Sequence, residues 1–342
     1  MTRQGRLAVF RADGNKSIGG GHILRCRTVA DELARRGWRV ALATDAQTTA
    51  HLGAWAVWPE MLVVEQSGGP SPEDCARRWP DGCDLLVTDH YSLDIKFETA
   101  CRPWANFLFV IDDLGDRAHN CNLLLDQTLG ISSDAYLNLV PDGSRLLIGP
   151  TFALIRPDFV KLRAASIKQR RLAPNFRRLL IALGLADNGL LLECLVEAIS
   201  ESDPTLSIDV VTGDARTSTS RKGRVTWHGR VGDMASLMAT ADLGLGAAGT
   251  STWERCCLGL PSLMVILASN QEAIAQAIER AGAGLSLGPA NEGLAGRAAA
   301  ALQHLRSADT SLRTMSRRAA AICDGKGVQR VANAVEALYC DN

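Results

Sequence analysis

The sequence carries no net charge: Lys plus Arg (37) equals Asp plus Glu (37) over 342 residues, so no long-range field draws it to nucleic acid or to an anionic membrane surface. It has no apolar run approaching the roughly 20 residues of a membrane span. Its N-terminus, MTRQGRLAVFRADG, reaches a charge after four apolar residues, too few for a signal-peptide core. No C-x-x-C occurs among the ten cysteines, which are scattered and include the adjacent pair Cys256-Cys257. That excludes the usual zinc and redox spacings and favours reduced thiols in a cytoplasm. His51, His90, His119, His228 and His304 form no H-x-x-x-H, so no metal is expected. Short internal repeats and low-complexity tracts are missing too. These absences lead us to expect a cytoplasmic protein without cofactor, nucleic-acid partner or membrane, acting on something small as a monomer or weak dimer.

What is present is an alternation of short apolar runs with helical patterns: LAVF (7–10), VALAT (40–44), DLLVTD (84–89) and FLFVID (107–112). That rhythm predicts α/β structure with a mostly parallel sheet. The helix from His22 places Ile23, Val29, Ala30 and Leu33 on one face, and Gly37 stands where a glycine cap belongs. The stretch 156–177 is basic, holds two prolines and reads as an interdomain linker. A second set follows: RLLIAL (178–183), LSIDVVTG (206–213), VTWHG (225–229), ADLGLGAAG (241–249) and LPSLMVI (260–266). The chain is long for one core. We therefore expect two doubly wound Rossmann-like domains, 1–155 and 178–325, with a ligand cleft between them and a closing helix, 326–342, packed across both.

Gly19, Gly20 and Gly21 lie just before His22. They do not make a dinucleotide fingerprint, because the third glycine position in G-x-G-x-x-G register is Leu24. A histidine at a helix start is pushed toward its neutral, basic form by the dipole; the alternative is a polar first-turn residue satisfied by a neighbour. Farther on, GAAGTSTWE (246–254) follows a strand and opens a helix. Gly249, Thr250 and Ser251 offer donors suited to phosphate oxygens, and Glu254 could accept from two ribose hydroxyls. A capping box with Ser251 as N-cap and Glu254 at N3 explains the same spacing. With VTWHGRVGDM (225–234) before it and LASNQ (267–271) after it, the segment accommodates a nucleobase near His228 and Val231 and a sugar facing Asn270 and Gln271. Asn270 as an N-cap is the bland alternative. Asp112 and Asp113 resemble a carboxylate dyad, although a strand-end aspartate more often caps the next turn.

The motifs FRADGNKSIGGGHILRC, VTDHYSLD, VIDDLGDRAHNCNLLLDQ, GPTFALIRPDF, GAAGTSTWERCCLGLPS and SNQ, in this order, span most of the chain. They resemble the UDP-sugar hydrolases of pseudaminic acid biosynthesis and, more distantly, the two-domain GT-B glycosyltransferases. The resemblance implies a GT-B-like fold and release of UDP from a UDP-2,4-diacetamido-2,4,6-trideoxyhexose by inverting attack of water. It implies His22 as general base, with Tyr91 and Asn270 beside the reacting sugar. Asp13, Gly19, Gly20, Gly21 and Gln271 would contact substrate. Gly249, Thr250, Ser251, Glu254, His228 and Val231 would hold UDP. A GT-B glycosyltransferase using a UDP-sugar donor, or a nucleotide-sugar-binding protein without catalysis, are the alternatives. One departure stands out: the family's Gly-Gly-Ser-Asp-like loop here reads Gly184-Leu185-Ala186-Asp187.

Overall fold

The computed structural model describes residues 5–15, 19–172, 177–185, 188–213, 220–307 and 311–340. The chain forms two compact units, Met1–Leu154 with Lys326–Asn342, and Ile155–Gly325. The first contains β1 (Leu7–Ala12), α1 (Gly21–Arg35), β2 (Arg39–Asp45), α2 (Ala46–Leu52), β3 (Glu60–Val64), α3 (Pro72–Arg78), β4 (Cys83–Asp89) and α4 (Ile95–Cys101). It continues with β5 (Ala105–Ile111), β6 (Leu123–Asp126) and β7 (Arg145–Ile148). The second opens on α5 (Pro157–Leu172), then β8 (Arg178–Ala182), α6 (Gly189–Ser202), β9 (Ser207–Val211), β10 (Ser220–Lys222), β11 (Val225–His228) and α7 (Met234–Thr240). After these come β12 (Leu243–Ala247), α8 (Ser251–Cys257), β13 (Ser262–Ile266), α9 (Glu272–Arg280), β14 (Gly284–Pro289), α10 (Leu294–Ser307) and α11 (Ser311–Ile322). The last helix, α12 (Gly327–Ala337), belongs to the first unit.

Among the described residues each unit carries one seven-stranded sheet, ordered β3-β2-β1-β4-β5-β6-β7 and β10-β11-β9-β8-β12-β13-β14. Every pairing is parallel except β10 with β11. Strand order reverses direction between β1 and β4 in one sheet and between β8 and β12 in the other. In open α/β sheets the carboxyl ends of the strands at such a reversal are where ligands bind. The loops that emerge there carry His22 and Asp89 in the first unit, and Gly184 and Gly249–Ser251 in the second.

Burial explains the elements. Ile23, Val29, Ala30 and Leu33 of α1 are fully buried, and the helix ends with Trp38 N–H donating to Leu33 C=O (3.1 Å) and Gly37 N–H to Ala34 C=O (2.9 Å), a Schellman cap. The first core gathers Val9, Ala41, Leu86, Leu108 and Leu124, and the second Leu179, Ile181, Leu195, Val210 and Leu245. The basic segment expected as a linker is helical over α5, with Pro157 at its first position, where the missing N–H costs nothing. Its arginines are structural donors: Arg163 to Cys257 and Ala320 carbonyls, Arg170 to those of Leu258, Met238 (2.6 Å) and Ala241 (2.7 Å). Burial pulls the Arg170 guanidinium down to about 10. The rest of that segment, 173–176, lies outside the described residues. The contacts of α12 in its own unit include Arg36 with Glu336 (2.5 Å) and Tyr339 Oη donating to Asp84 C=O (2.7 Å).

Candidate functional site

In the first unit the site grows from the start of α1. Gly19 sits at φ 73°, a left-handed conformation that an L side chain rarely adopts, and its N–H donates to Asn15 C=O (2.8 Å). This turn delivers the chain into α1, and residues 16–18 of the same loop lie outside the described residues. On α1, His22, Arg25 and Cys26 occupy i, i+3 and i+4, so their side chains share one face. All three converge on Asp89 at the end of β4. His22 Nδ1 lies 2.5 Å from Asp89 Oδ1, Arg25 Nε donates to Oδ2 (2.6 Å) and Nη2 to Oδ1 (2.6 Å), and Cys26 Sγ reaches Oδ2 (3.6 Å). Arg25 Nη1 continues to Asp113 Oδ2 (3.0 Å).

Asp89 is fully buried. Burial alone would raise its carboxyl, but the charges and hydrogen bonds of Arg25 and His22 hold it well below the usual carboxylate range. As an ionised carboxylate it only accepts, so His22 Nδ1 carries a proton and donates to it, and in the neutral tautomer that leaves the lone pair on Nε2. The Arg25 Nη2 contact to Nδ1 at 3.3 Å is then a packing contact, since both are donors. Tyr91 stands edge-on to the imidazole, ring centroids 4.6 Å apart. The result is an oriented imidazole: a histidine held by an aspartate that is itself held by an arginine.

Asp13, a substrate contact by the resemblance, is held by protein partners on both carboxylate oxygens. Its Oδ1 accepts from Thr44 Oγ1 (2.9 Å) and Asp45 N–H (3.2 Å), while Oδ2 faces Arg11 (2.9 Å) and His90 Nε2 (3.3 Å). His90 Nδ1 accepts from Ser92 N–H (3.1 Å), which leaves Nε2–H to face Asp13. Burial would raise Asp13, but His90, Arg11 and Thr44 bring it down to about 2. Asp112 Oδ2 accepts from Gly115 N–H (2.8 Å), the turn-capping role weighed from the sequence, and Asp113 pairs with Arg25. His119 is buried against Glu98 (2.7 Å).

In the second unit, β12 ends and the chain turns through Gly249 and Thr250 into α8. The N–H groups of Gly249, Thr250 and Ser251 have no protein acceptor among the described residues. The turn is braced from below by Arg255, which donates to Ala247 C=O (2.9 Å), Ser251 Oγ (3.0 Å), Thr252 Oγ1 (3.0 Å) and Ser262 Oγ (3.0 Å). Burial pulls its guanidinium down to about 10, against the smaller opposing influence of Cys256 and Glu254. Gly246 is required by this brace, since a Cβ there would come within 2.7 Å of Arg255 Nη1 and 2.9 Å of Ala182 O.

Thr250, not Ser251, is the residue before α8, and no side chain caps that helix. The capping-box reading of Ser251 and Glu254 therefore does not hold. Glu254 is bound instead by Arg156, whose Nε and Nη2 both lie 3.1 Å from Oε1. Gln271 Oε1 accepts from Leu267 N–H (3.0 Å), and its Nε2 lies 3.7 Å from where a Gly249 Cβ would stand. The amide thus presents its NH₂ to the glycine turn. Asn270 lies in the same short turn, Ser269–Gln271, whose preceding residue is Ala268, so Asn270 is not its cap. His228 Nε2 is engaged with Asp209 Oδ1 (2.8 Å), Val231 is half-buried, and Ala186 and Asp187 of the departing loop lie outside the described residues.

Sequence reasoning missed Asp89, Arg25, Arg156 and Arg255. Arg25 was accessible from its i+3 spacing to His22, and Arg156 and Asp89 lie inside motifs already singled out; only their partners were hidden.

Comparisons with known proteins agree with this architecture. Residues 225–335 match the glycosyltransferase family 28 C-terminal domain. The spore coat polysaccharide biosynthesis protein SpsG of Bacillus subtilis is 26% identical over 360 aligned positions, covering 96% of this chain and 97% of SpsG. Among solved structures, MurG of Acinetobacter baumannii superimposes with a TM-score of 0.66 at 14% identity, covering 97% of this chain and 99% of MurG. CalG4, the calicheamicin glycosyltransferase, gives 0.64 at 15% identity and 98% of both chains. HepE of Anabaena, solved with UDP and glucose, gives 0.57 at 13% identity, covering 97% and 99%. The fold is GT-B, as expected. The hydrolase expected from the sequence motifs is corrected by the domain match: residues 225–335 match a glycosyltransferase domain, which favours the glycosyltransferase alternative over water attack on a diacetamido sugar. Among the described residues no helix is long and apolar enough to cross a membrane.

Proposed function

We propose that the chain is a glycosyltransferase that takes a nucleoside-diphosphate sugar, UDP-activated in the first instance, and passes the sugar to an acceptor hydroxyl. The observation that carries this reading is that residues 225–335, which contain the braced turn and Glu254, match the glycosyltransferase family 28 C-terminal domain. In this reading the unpaired N–H groups of Gly249, Thr250 and Ser251, with the Gln271 amide, receive the diphosphate, and Glu254 accepts from the ribose. His22 Nε2 takes the proton of the acceptor hydroxyl as its oxygen forms a bond to the anomeric carbon. The bond from that carbon to the diphosphate oxygen breaks, and the nucleoside diphosphate leaves with the electron pair. A nucleoside diphosphate needs no strong acid to depart, only donors for its developing charge. One oriented base suffices on the other reactant, and direct displacement inverts the anomeric centre.

Replacing Glu254 with Gln tests the donor side. The account expects UDP affinity, read by calorimetry, to fall by about 1.5–3 kcal/mol, the scale of hydrogen bonds to a charged group. Unchanged affinity would remove Glu254 from the nucleotide site.

A further inference from the structure

Arg156 lies just before α5 and is held over the Phe159 ring, its guanidinium carbon 4.8 Å from the centroid. Its Nε and Nη2 both converge on one oxygen of Glu254, Oε1. Among the described residues no group donates to Oε2, and the Glu254 side chain keeps some exposure, so Oε2 is the oxygen open to a ligand. We propose that Arg156 is a positioning residue: it occupies Oε1 and turns Oε2 toward the vicinal hydroxyls of a nucleotide ribose. This rests on the nucleotide-sugar reading of the site and adds to it the group that makes the acceptor competent.

The surroundings leave Arg156 without a substitute. Burial raises the Glu254 carboxyl, and Arg156 opposes it most strongly. The other charge facing Glu254 is Arg255, whose nitrogens are committed to Ala247, Ser251, Thr252 and Ser262. Cys257 lies in the field of Glu254 with Arg163 beside it, and Asp233 feels the charge of Arg156 from the start of α7. None of these can donate to Oε1 in its place. Without Arg156, Glu254 would take up a proton at higher pH, and a protonated carboxyl offers the diol one acceptor fewer.

The test is UDP affinity, measured by calorimetry on the full chain from about pH 6 to about pH 9, for the wild type, Arg156→Gln, Arg156→Lys and Glu254→Gln. Taking each variant as a ratio to wild type cancels the titration of UDP itself. Arg156→Gln is expected to bind more weakly at the acid end, by up to about tenfold for each unit of pH below the carboxyl's titration midpoint until it levels off near the Glu254→Gln affinity, and to recover as pH rises. Arg156→Lys should restore part of the loss, and Glu254→Gln should be weak at every pH. A ratio for Arg156→Gln that is flat across the range would overturn the role given to Arg156, because a purely structural arginine shifts affinity equally at every pH. A wild type that binds neither UDP nor dTDP would overturn the nucleotide reading beneath it.

Discussion

Turnover should fall about 10²- to 10⁴-fold, or about 2.7–5.4 kcal/mol in barrier, when His22 is replaced by Asn, the range expected for loss of a general base. Asparagine can still donate from Nδ2 to Asp89, so the buried network with Arg25 is kept and only the Nε2 lone pair is lost. The nucleotide contacts assigned to Gly249–Ser251 and Glu254 are untouched, and UDP affinity should stay at its wild-type value. Steady-state kinetics together with UDP calorimetry check both halves. Near-normal turnover would take His22 out of the chemistry, and lost UDP affinity would mean that the histidine serves the nucleotide rather than the acceptor.

Asp89→Asn should have the largest combined effect. It leaves the buried Arg25 guanidinium with Asp113 as its remaining counterion, and breaking a buried pair costs about 3–5 kcal/mol of stability. It also offers His22 an amide N–H, which favours a proton on Nε2 in place of the lone pair. The corresponding aspartate-to-asparagine change in serine proteases lowers turnover about 10⁴-fold by the same tautomer reversal, and a comparable loss is expected here. The stability term has a definite pH window. The Asp89 carboxyl is lowered on folding, so its contribution is fully present above the unfolded carboxylate value of about 3.9 and is lost as pH falls from there toward the lower folded value. Urea unfolding of the two proteins should therefore show a gap at neutral pH that narrows below about pH 4. A variant as stable and as active as wild type would mean that Asp89 neither holds Arg25 nor sets the His22 tautomer.

Much of the fold was legible because parallel strands buried on both faces read as continuous apolar runs. LAVF, DLLVTD and RLLIAL lie at the cores of β1, β4 and β8. The strands not anticipated are short or lie at sheet edges: β3, β7, β10 and β14 pair on one side only, and β6 and β7 are four residues each. The basic segment 156–177 looked like a linker because arginine and proline are common in linkers. Pro157 is instead a helix start, and Arg163 and Arg170 satisfy carbonyls of neighbouring segments.

The candidate site was legible residue by residue but not pair by pair. His22 and Glu254 announced themselves by their place at helix starts, yet what each touches depends on sheet order. Asp89 is 67 residues from His22 and reaches it because β4 lies beside β1. Arg156 is 98 residues from Glu254. The glycines of β12 had no visible reason until Arg255 was seen filling the space beside them. The hydrolase reading failed for a related reason: an oriented histidine at the end of a glycine turn serves water or an acceptor hydroxyl equally well, and its motif does not say which.

Acceptor dependence of nucleoside-diphosphate release tests the account most directly. UDP-sugars of several kinds would be incubated with the purified chain, with and without a panel of mono- and disaccharide acceptors, while UDP release and sugar products are followed by mass spectrometry and NMR. The account predicts that UDP appears at an appreciable rate only when an acceptor is present, and that the sugar is recovered on that acceptor with inverted anomeric configuration. UDP and free sugar released at the same rate without any acceptor would contradict it.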